Sequence, residues 1–135
     1  MQWLLHAIAK DQELAKSLRE DIRLNEGSME APLVRGCMRE AMRLYPVAPF
    51  IGRFVDLNAE IGGYLIPKGT LVLASLYTSG RDPLNFSHPH KFTPQRWLRD
   101  ESGEHKVFKS HASIPFAMGS RSCIGKKIAL YQVHS

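Results

Sequence analysis

The sequence predicts a mainly α protein with small antiparallel β sheets, an α+β chain. Three observations carry this expectation. Apolar residues recur at helical spacing over residues 2–24 and 32–45. Short β-prone runs separated by glycine turns replace that pattern over 53–76. After a long irregular stretch, a last helical run covers 126–135.

With 135 residues and 44% hydrophobic residues, the chain has enough apolar material for one modest core. At 23% charged and 9% aromatic residues, the composition is that of an ordinary soluble globular protein. The formal charge of +5 suits an acidic protein partner or an anionic membrane surface. The basic residues are scattered and are not interleaved with stacking aromatics, so nucleic acid is not an expected partner. Two cysteines, Cys37 and Cys123, make no disulfide framework and point to a reducing compartment. The longest apolar run near the start, Trp3–Ala9, is too short to span a bilayer. No basic leader precedes it and no cleavage-like site follows, so no targeting segment is expected in this chain.

Residues 2–24 read as helix with a break near Lys10-Asp11. Trp3, Leu4, Leu5 and Ile8 form one apolar face, which Leu14, Leu18 and Ile22 repeat at i, i+4, i+8. Asn25-Glu26-Gly27 ends the segment with a C-cap-type glycine. Pro32 suits the first turn of a second helix, which runs to about Tyr45 before Pro46 stops it. Its core-facing stripe is Leu33/Val34, Cys37/Met38, Ala41 and Leu44/Tyr45, so Cys37 reads as packing. Glu40 and Arg43 stand at i, i+3, where their side chains meet on one face. As an isolated exposed pair they would contribute little. Arg35 and Arg39, at i, i+4, read on residues alone as solvated charges.

Arg53-Phe-Val55, Glu60-Ile61, Tyr64-Leu-Ile66 and Thr70–Ala74 form small hairpins punctuated by Gly62-Gly63 and Pro67-Lys-Gly69. Ser79–Pro83 marks a short helix or turn. Residues 84–112 form an irregular meander. His88-Pro-His90 within it lacks a third ligand at matching spacing and reads as loop histidines.

The stretch Phe116–Gly125 sets Cys123 between two glycines, with Arg121 two residues before it and a helical segment after it. A thiolate there would be stabilised by the amides of a tight turn, by the following helix N-terminus and by nearby cations. It could be a metal ligand, a nucleophile or an inert structural cysteine. A phosphate loop is excluded, because five residues separate Gly119 from Gly125 and Lys127 follows Lys126 where a hydroxyl is needed. A zinc site lacks a second ligand at the right spacing. A cysteine hydrolase needs a histidine and an orienting group, which the sequence does not suggest.

Phe116, Gly119, Arg121, Cys123 and Gly125 together spell Phe-x-x-Gly-x-Arg-x-Cys-x-Gly, which resembles the haem-binding loop of the cytochrome P450 family. Glu40-Ala-Met-Arg43, followed by Leu-Tyr-Pro46, resembles that family's Glu-x-x-Arg helix. Phe92-Thr-Pro-Gln-Arg96-Trp97 resembles its Pro-x-Arg-Phe element, with Trp97 in place of the usual phenylalanine, read here as a conservative swap. The resemblance implies a partial cytochrome P450 fold, with residues 1–135 forming the C-terminal, proximal-haem part of a single domain. It implies haem b (iron protoporphyrin IX) with Cys123 as axial ligand to the iron and catalytic thiolate. Arg121 and Arg53 would contact the propionates, Phe116 would shield the sulfur, and Gly119 and Gly125 would let the backbone approach the porphyrin. Glu40, Arg43 and Arg96 would form a structural network, one carboxylate holding two guanidiniums by bidentate bonds. Val47 and Ala48 correspond to a segment that lines the family's substrate pocket.

The opening Gln-Trp-Leu-Leu, the Leu-Tyr-Pro-Val-Ala-Pro turn and the pair Lys126-Lys127 are most similar to the mitochondrial branch. That branch takes electrons from an acidic ferredoxin, which Arg35, Arg39, Lys126 and Lys127 would meet. The implied activity is monooxygenation of a small apolar, sterol-like substrate with O2 and electrons from a ferredoxin or reductase. The alternative is a truncated, non-catalytic fragment acting at most as a haem- or partner-binding module. The resemblance covers nearly the whole chain, yet the chain corresponds to only about a quarter of a usual family member. The distal helix with its acid–alcohol pair and any anchor would precede Met1. Membrane association is expected only for a full-length parent, at the mitochondrial inner membrane or, alternatively, the endoplasmic reticulum.

Overall fold

The computed structural model describes residues 2–26, 28, 31–99 and 111–134. The first helical region is two helices, α1 (Gln2–Lys10) and α2 (Gln12–Leu24). The break falls at Asp11, whose extended backbone leaves the helix while its Oδ1 accepts the Leu14 N–H at 2.9 Å. At the far end of α2 the cap is Asn25, whose amide Nδ2 donates to the Asp21 carbonyl at 2.7 Å. Glu26 then takes a left-handed φ of 57°. The expected glycine cap, Gly27, lies outside the described residues.

α3 (Pro32–Leu44) begins with proline in its first turn, where the missing N–H costs nothing. The next orphan donor, Leu33 N–H, is met by Asp21 Oδ2 of α2 at 2.9 Å. One helix therefore caps the other, and their apolar faces close on each other. Leu14, Leu18, Ala31, Leu33, Val34 and Cys37 form the buried cluster, with Leu4, Ile8, Phe92 and Leu98 packed at its edge. Each buried leucine contributes about 1.5–3 kcal/mol.

α3 is followed by its C-cap residue Tyr45, on which Trp3 stacks with ring centroids 4.7 Å apart. A guanidinium nitrogen of Arg81 donates to the Leu44 carbonyl there. The β region forms two separate antiparallel pairs. β1 (Phe50–Phe54) pairs with β4 (Leu71–Ser75), from Phe50 opposite Ser75 to Phe54 opposite Leu71. β2 (Ala59–Ile61) and β3 (Tyr64–Ile66) are joined by Gly62-Gly63, which take φ of 61° and 83°. β1 starts at Phe50, three residues before the expected Arg53. The Pro49 carbonyl, accepting from Leu76 N–H at 2.8 Å, holds its start against the chain that leaves β4.

The short helix α4 (Leu76–Ser79) follows β4, and buried Gly80 ends it against α3. Among the described residues of the meander that follows is a 3₁₀ turn, Pro94–Trp97, lying on α3. Gly36 allows that contact, since a Cβ there would stand 2.8 Å from the Pro94 carbonyl oxygen. The Ser79 hydroxyl donates to the Ala112 carbonyl at 3.1 Å and anchors the chain entering the cysteine loop. A second 3₁₀ turn, Gly119–Arg121, sits inside that loop, and α5 (Lys126–His134) follows it. No helix among the described residues is long and apolar enough to cross a membrane.

Candidate functional site

Three charged side chains lie deep in a protein whose core is otherwise apolar. Glu40 is 0% exposed, Arg43 1% and Arg96 7%. Burying such charges is costly unless each is paired and hydrogen-bonded, and here each is. Glu40 Oε1 accepts from Arg43 Nη2 at 2.7 Å, Arg96 Nε at 3.0 Å and the backbone N–H of Thr93 at 2.9 Å. Its Oε2 accepts from Arg43 Nε at 2.9 Å and the Trp97 indole N–H at 2.8 Å. Arg43 has donors left over after Glu40 and spends them on carbonyls. Nη1 reaches Gly80 and Pro89, the latter at 2.7 Å, and Nη2 reaches Lys91 at 3.2 Å. The Phe86 ring lies 4.9 Å from the Arg43 guanidinium and 6.0 Å from that of Arg96. The structure thus brings Glu40, Arg43 and Arg96 together as one network. It differs from expectation in one respect: only Arg43 is bidentate, whereas Arg96 makes a single bond because Thr93 and Trp97 take the remaining acceptor sites.

Trp97 is the functional residue that sequence reasoning missed. Taken as a swap for phenylalanine, it instead supplies a donor that phenylalanine lacks. The signal was present in the residue type, since a buried indole N–H usually finds a partner. The partner, 57 positions away, left no local trace.

The cysteine loop is closed by Cys123 N–H donating to the Phe116 carbonyl at 2.8 Å. Ser122 N–H turns back to Gly119 at 3.0 Å, and Ala117 and Gly119 take left-handed φ of 56° and 73°. At Gly119 a side chain would be strained by the backbone while meeting no atom within 4 Å. The Cys123 side chain is exposed, and so is Arg121 on its 3₁₀ turn. The expected shielding of the sulfur by Phe116 is not seen. That ring is half-buried and turned toward Lys126, whose Nζ lies 6.0 Å from its centroid. Gly125 stands next to the thiol, with a notional Cβ 3.8 Å from Sγ.

Arg35, Arg39, Lys126, Lys127 and Phe116 line one groove of about 780 Å³ between α3, the loop and α5, and Trp97 forms part of its wall. Burial, and then the like charge of Arg35, hold the Arg39 guanidinium below its ordinary pKa. Arg53 lies apart on β1, exposed, its Nη1 donating to the Gly52 carbonyl at 2.7 Å. Val47 and Ala48 are fully or largely exposed after α3. Cys37 is buried, its thiol pushed up to about 12 by desolvation first and then by Glu40 and Asp21.

The donor set decides what metal group could sit here. Among the described residues no three histidine, cysteine or carboxylate groups gather as a metal site. An exposed lone thiol suits an ion that brings its other ligands with it, as porphyrin iron does. Arg121 and Arg53 form no ion pair among the described residues, so their charges are not spent on a carboxylate there. The residues fit haem, and the fold and loop together define a haem-thiolate type of protein.

The Cytochrome P450 family model matches residues 1–135. The chain belongs to the cytochrome P450 family, whose cofactor is haem b, and its affinity is with the mitochondrial type. It is 47% identical over 134 residues to mitochondrial cytochrome P450 315a1 of Drosophila melanogaster, covering 99% of this chain and 25% of that protein. It is 32% identical over 139 residues to human mitochondrial sterol 26-hydroxylase, covering 96% and 26%. To the mitochondrial cholesterol side-chain cleavage enzyme of Oncorhynchus mykiss it is 37% identical over 136 residues, covering 94% and 25%. The chain therefore spans about a quarter of the length of these curated relatives.

Proposed function

We propose that this chain is the proximal-haem part of a mitochondrial monooxygenase that inserts one oxygen atom of O2 into a small apolar, sterol-like substrate. The observation that carries the reading is Cys123 exposed on a loop of family pattern. Haem b, when bound, would supply the activation of O2 with electrons delivered by a donor protein, a chemistry that a thiolate ligand to the iron favours. The protein's part is to hold and orient. Cys123 would bind the iron, and the tie from its N–H to the Phe116 carbonyl fixes the sulfur's backbone. Arg121 and Arg53 would hold the propionates, while Gly119 and Gly125 would keep the porphyrin's approach clear. Glu40, Arg43 and Arg96 act as scaffold, anchoring the meander to α3 behind the loop. Val47 and Ala48 would border the substrate. Arg35, Arg39, Lys126 and Lys127 would receive an acidic ferredoxin, since like charges gathered on one groove steer an oppositely charged partner. Relatives named mitochondrial, two of them for sterol or cholesterol chemistry, support the compartment and the substrate class.

The short span relative to those relatives favours a second reading, in which the 135 residues alone are a non-catalytic haem- or partner-binding module. One experiment serves both. The chain is loaded with haem, reduced and exposed to carbon monoxide. The expected result is a Soret band shifted far to the red and lost in Cys123→Ser. An identical band in Cys123→Ser would refute the thiolate ligand. A thiolate-type band without turnover of a sterol would favour the second reading.

A further inference from the structure

We propose that Trp97 is a positioning residue through which the charge at Arg39, on the basic groove, sets the hold on Glu40 behind the cysteine loop. Three features of one side chain carry this. Its indole N–H supplies one of the two hydrogen bonds that Glu40 Oε2 receives among the described residues, at 2.8 Å. Its ring faces the Arg39 guanidinium, whose carbon lies 5.9 Å from the ring centroid. Its outer side lines the groove together with Arg35, Arg39 and Phe116. A single indole therefore touches the buried network at one end and the docking groove at the other.

The physical coupling is direct. A cation over an indole draws on its π density, and the N–H at the ring edge becomes a stronger donor. Arg39 has no carboxylate ion-pair partner among the described residues, and the like charge of Arg35 acts on it along α3. No described carboxylate neutralises the guanidinium, so a carboxylate arriving from outside changes the field over Trp97. The N–H then weakens its bond to Glu40, the group on which Thr93, Arg96 and Arg43 converge. The Arg39 side chain is exposed, so an arriving carboxylate can reach it from solvent. The consequence for an arriving partner rests on the acidic-ferredoxin reading above, while the link between Arg39 and Trp97 does not.

The test is nuclear magnetic resonance of the two indole N–H groups in the 135-residue chain, assigned with Trp3→Phe. Arg39→Ala is expected to move the Trp97 indole proton upfield and to speed its exchange about two- to fivefold, the range an exposed cation–π contact supports. Arg39→Lys should largely restore both, and the Trp3 signal should stay where it is. An unchanged Trp97 signal in Arg39→Ala overturns the proposal. An octaglutamate peptide then stands in for the acidic partner. Bound peptide should reproduce the Arg39→Ala shift in the parent chain and produce none in Arg39→Ala. Peptide that binds without moving the Trp97 signal overturns the coupling. If Arg39→Ala moves the signal but the peptide does not bind, the docking reading fails and the coupling stands.

Discussion

Glu40→Gln is the substitution that tests the buried network most severely, because it keeps the shape of the side chain and removes only its charge. The carboxylate receives five donors, three on Oε1 and two on Oε2. An amide has one accepting oxygen. With that oxygen in the Oε1 position, the amide nitrogen faces Arg43 Nε and the Trp97 N–H, donor against donor. The opposite orientation leaves three donors facing an NH2 group. Even in the better case two bonds are lost, and two guanidiniums with side chains 0% and 6% exposed have no counter-charge. Breaking a buried pair in this way costs about 3–5 kcal/mol. Against a total stability of about 5–15 kcal/mol, that is a large share. Urea unfolding followed by far-ultraviolet circular dichroism should show the midpoint falling by about 2 M, for a slope near 2 kcal/mol per M. A Glu40→Gln chain within 1 kcal/mol of the parent would refute the claim that the charge is what these donors require (about the error of the extrapolation).

Two further outcomes follow from the packing. Gly36→Ala pushes a methyl to 2.8 Å from the Pro94 carbonyl, and backbone has to give on one side. It should cost about 1–3 kcal/mol in the same urea assay, and an equally stable variant would mean that α3 and the 3₁₀ turn pack more loosely than described. Cys37, with its folded pKa raised to about 12, gives the protein an alkaline weakness. Below the unfolded thiol's ordinary value near 8.5 both states are protonated and the group adds no pH dependence. Above it the unfolded state loses the proton first, so stability falls as pH rises toward 12. Melting measured from pH 8 upward should fall less steeply for Cys37→Ala, and thiol-reactive reagents below pH 9 should label Cys123 well before Cys37. Equal labelling rates would sink the burial argument.

What could be read ahead of the structure was what local spacing encodes. The i, i+4, i+8 residues Leu14, Leu18 and Ile22 of α2 and the stripe around Cys37 on α3 have periods that sequence displays directly, and Leu14, Leu18 and Cys37 lie in the buried cluster with Ile22 at its edge. The break at Lys10-Asp11 was legible because aspartate is a good N-cap. The pairing of Glu40 with Arg43 was visible as an i, i+3 spacing, but its burial was not, because the covering groups come from residues 80–97. Arg96 was reached only through resemblance to a family. Trp97 was misjudged because swapping aromatics conserves volume and not hydrogen bonding. The start of β1 at Phe50 was hidden by Pro46 and Pro49, whose turn chemistry masks the strand that follows. Exposure of Cys123 has no sequence signature at all.

The bonds of Glu40 and Arg43 also say something about the order in which the chain assembles. On α3 alone the two side chains form a solvated i, i+3 pair, worth a few tenths of a kcal/mol. Every other bond spans a long loop, from the 37 residues to the Gly80 carbonyl up to the 57 to Trp97. Closing such loops costs chain entropy before any bond repays it. α1, α2 and α3 can gather early through near neighbours, whereas the carboxylate is stripped of water only when the meander returns. The three donors from Thr93, Arg96 and Trp97 then arrive together, adding to the two that Arg43 already offers. By this loop-length argument, the segment leading into the cysteine loop is expected to dock after α1, α2 and α3 have gathered.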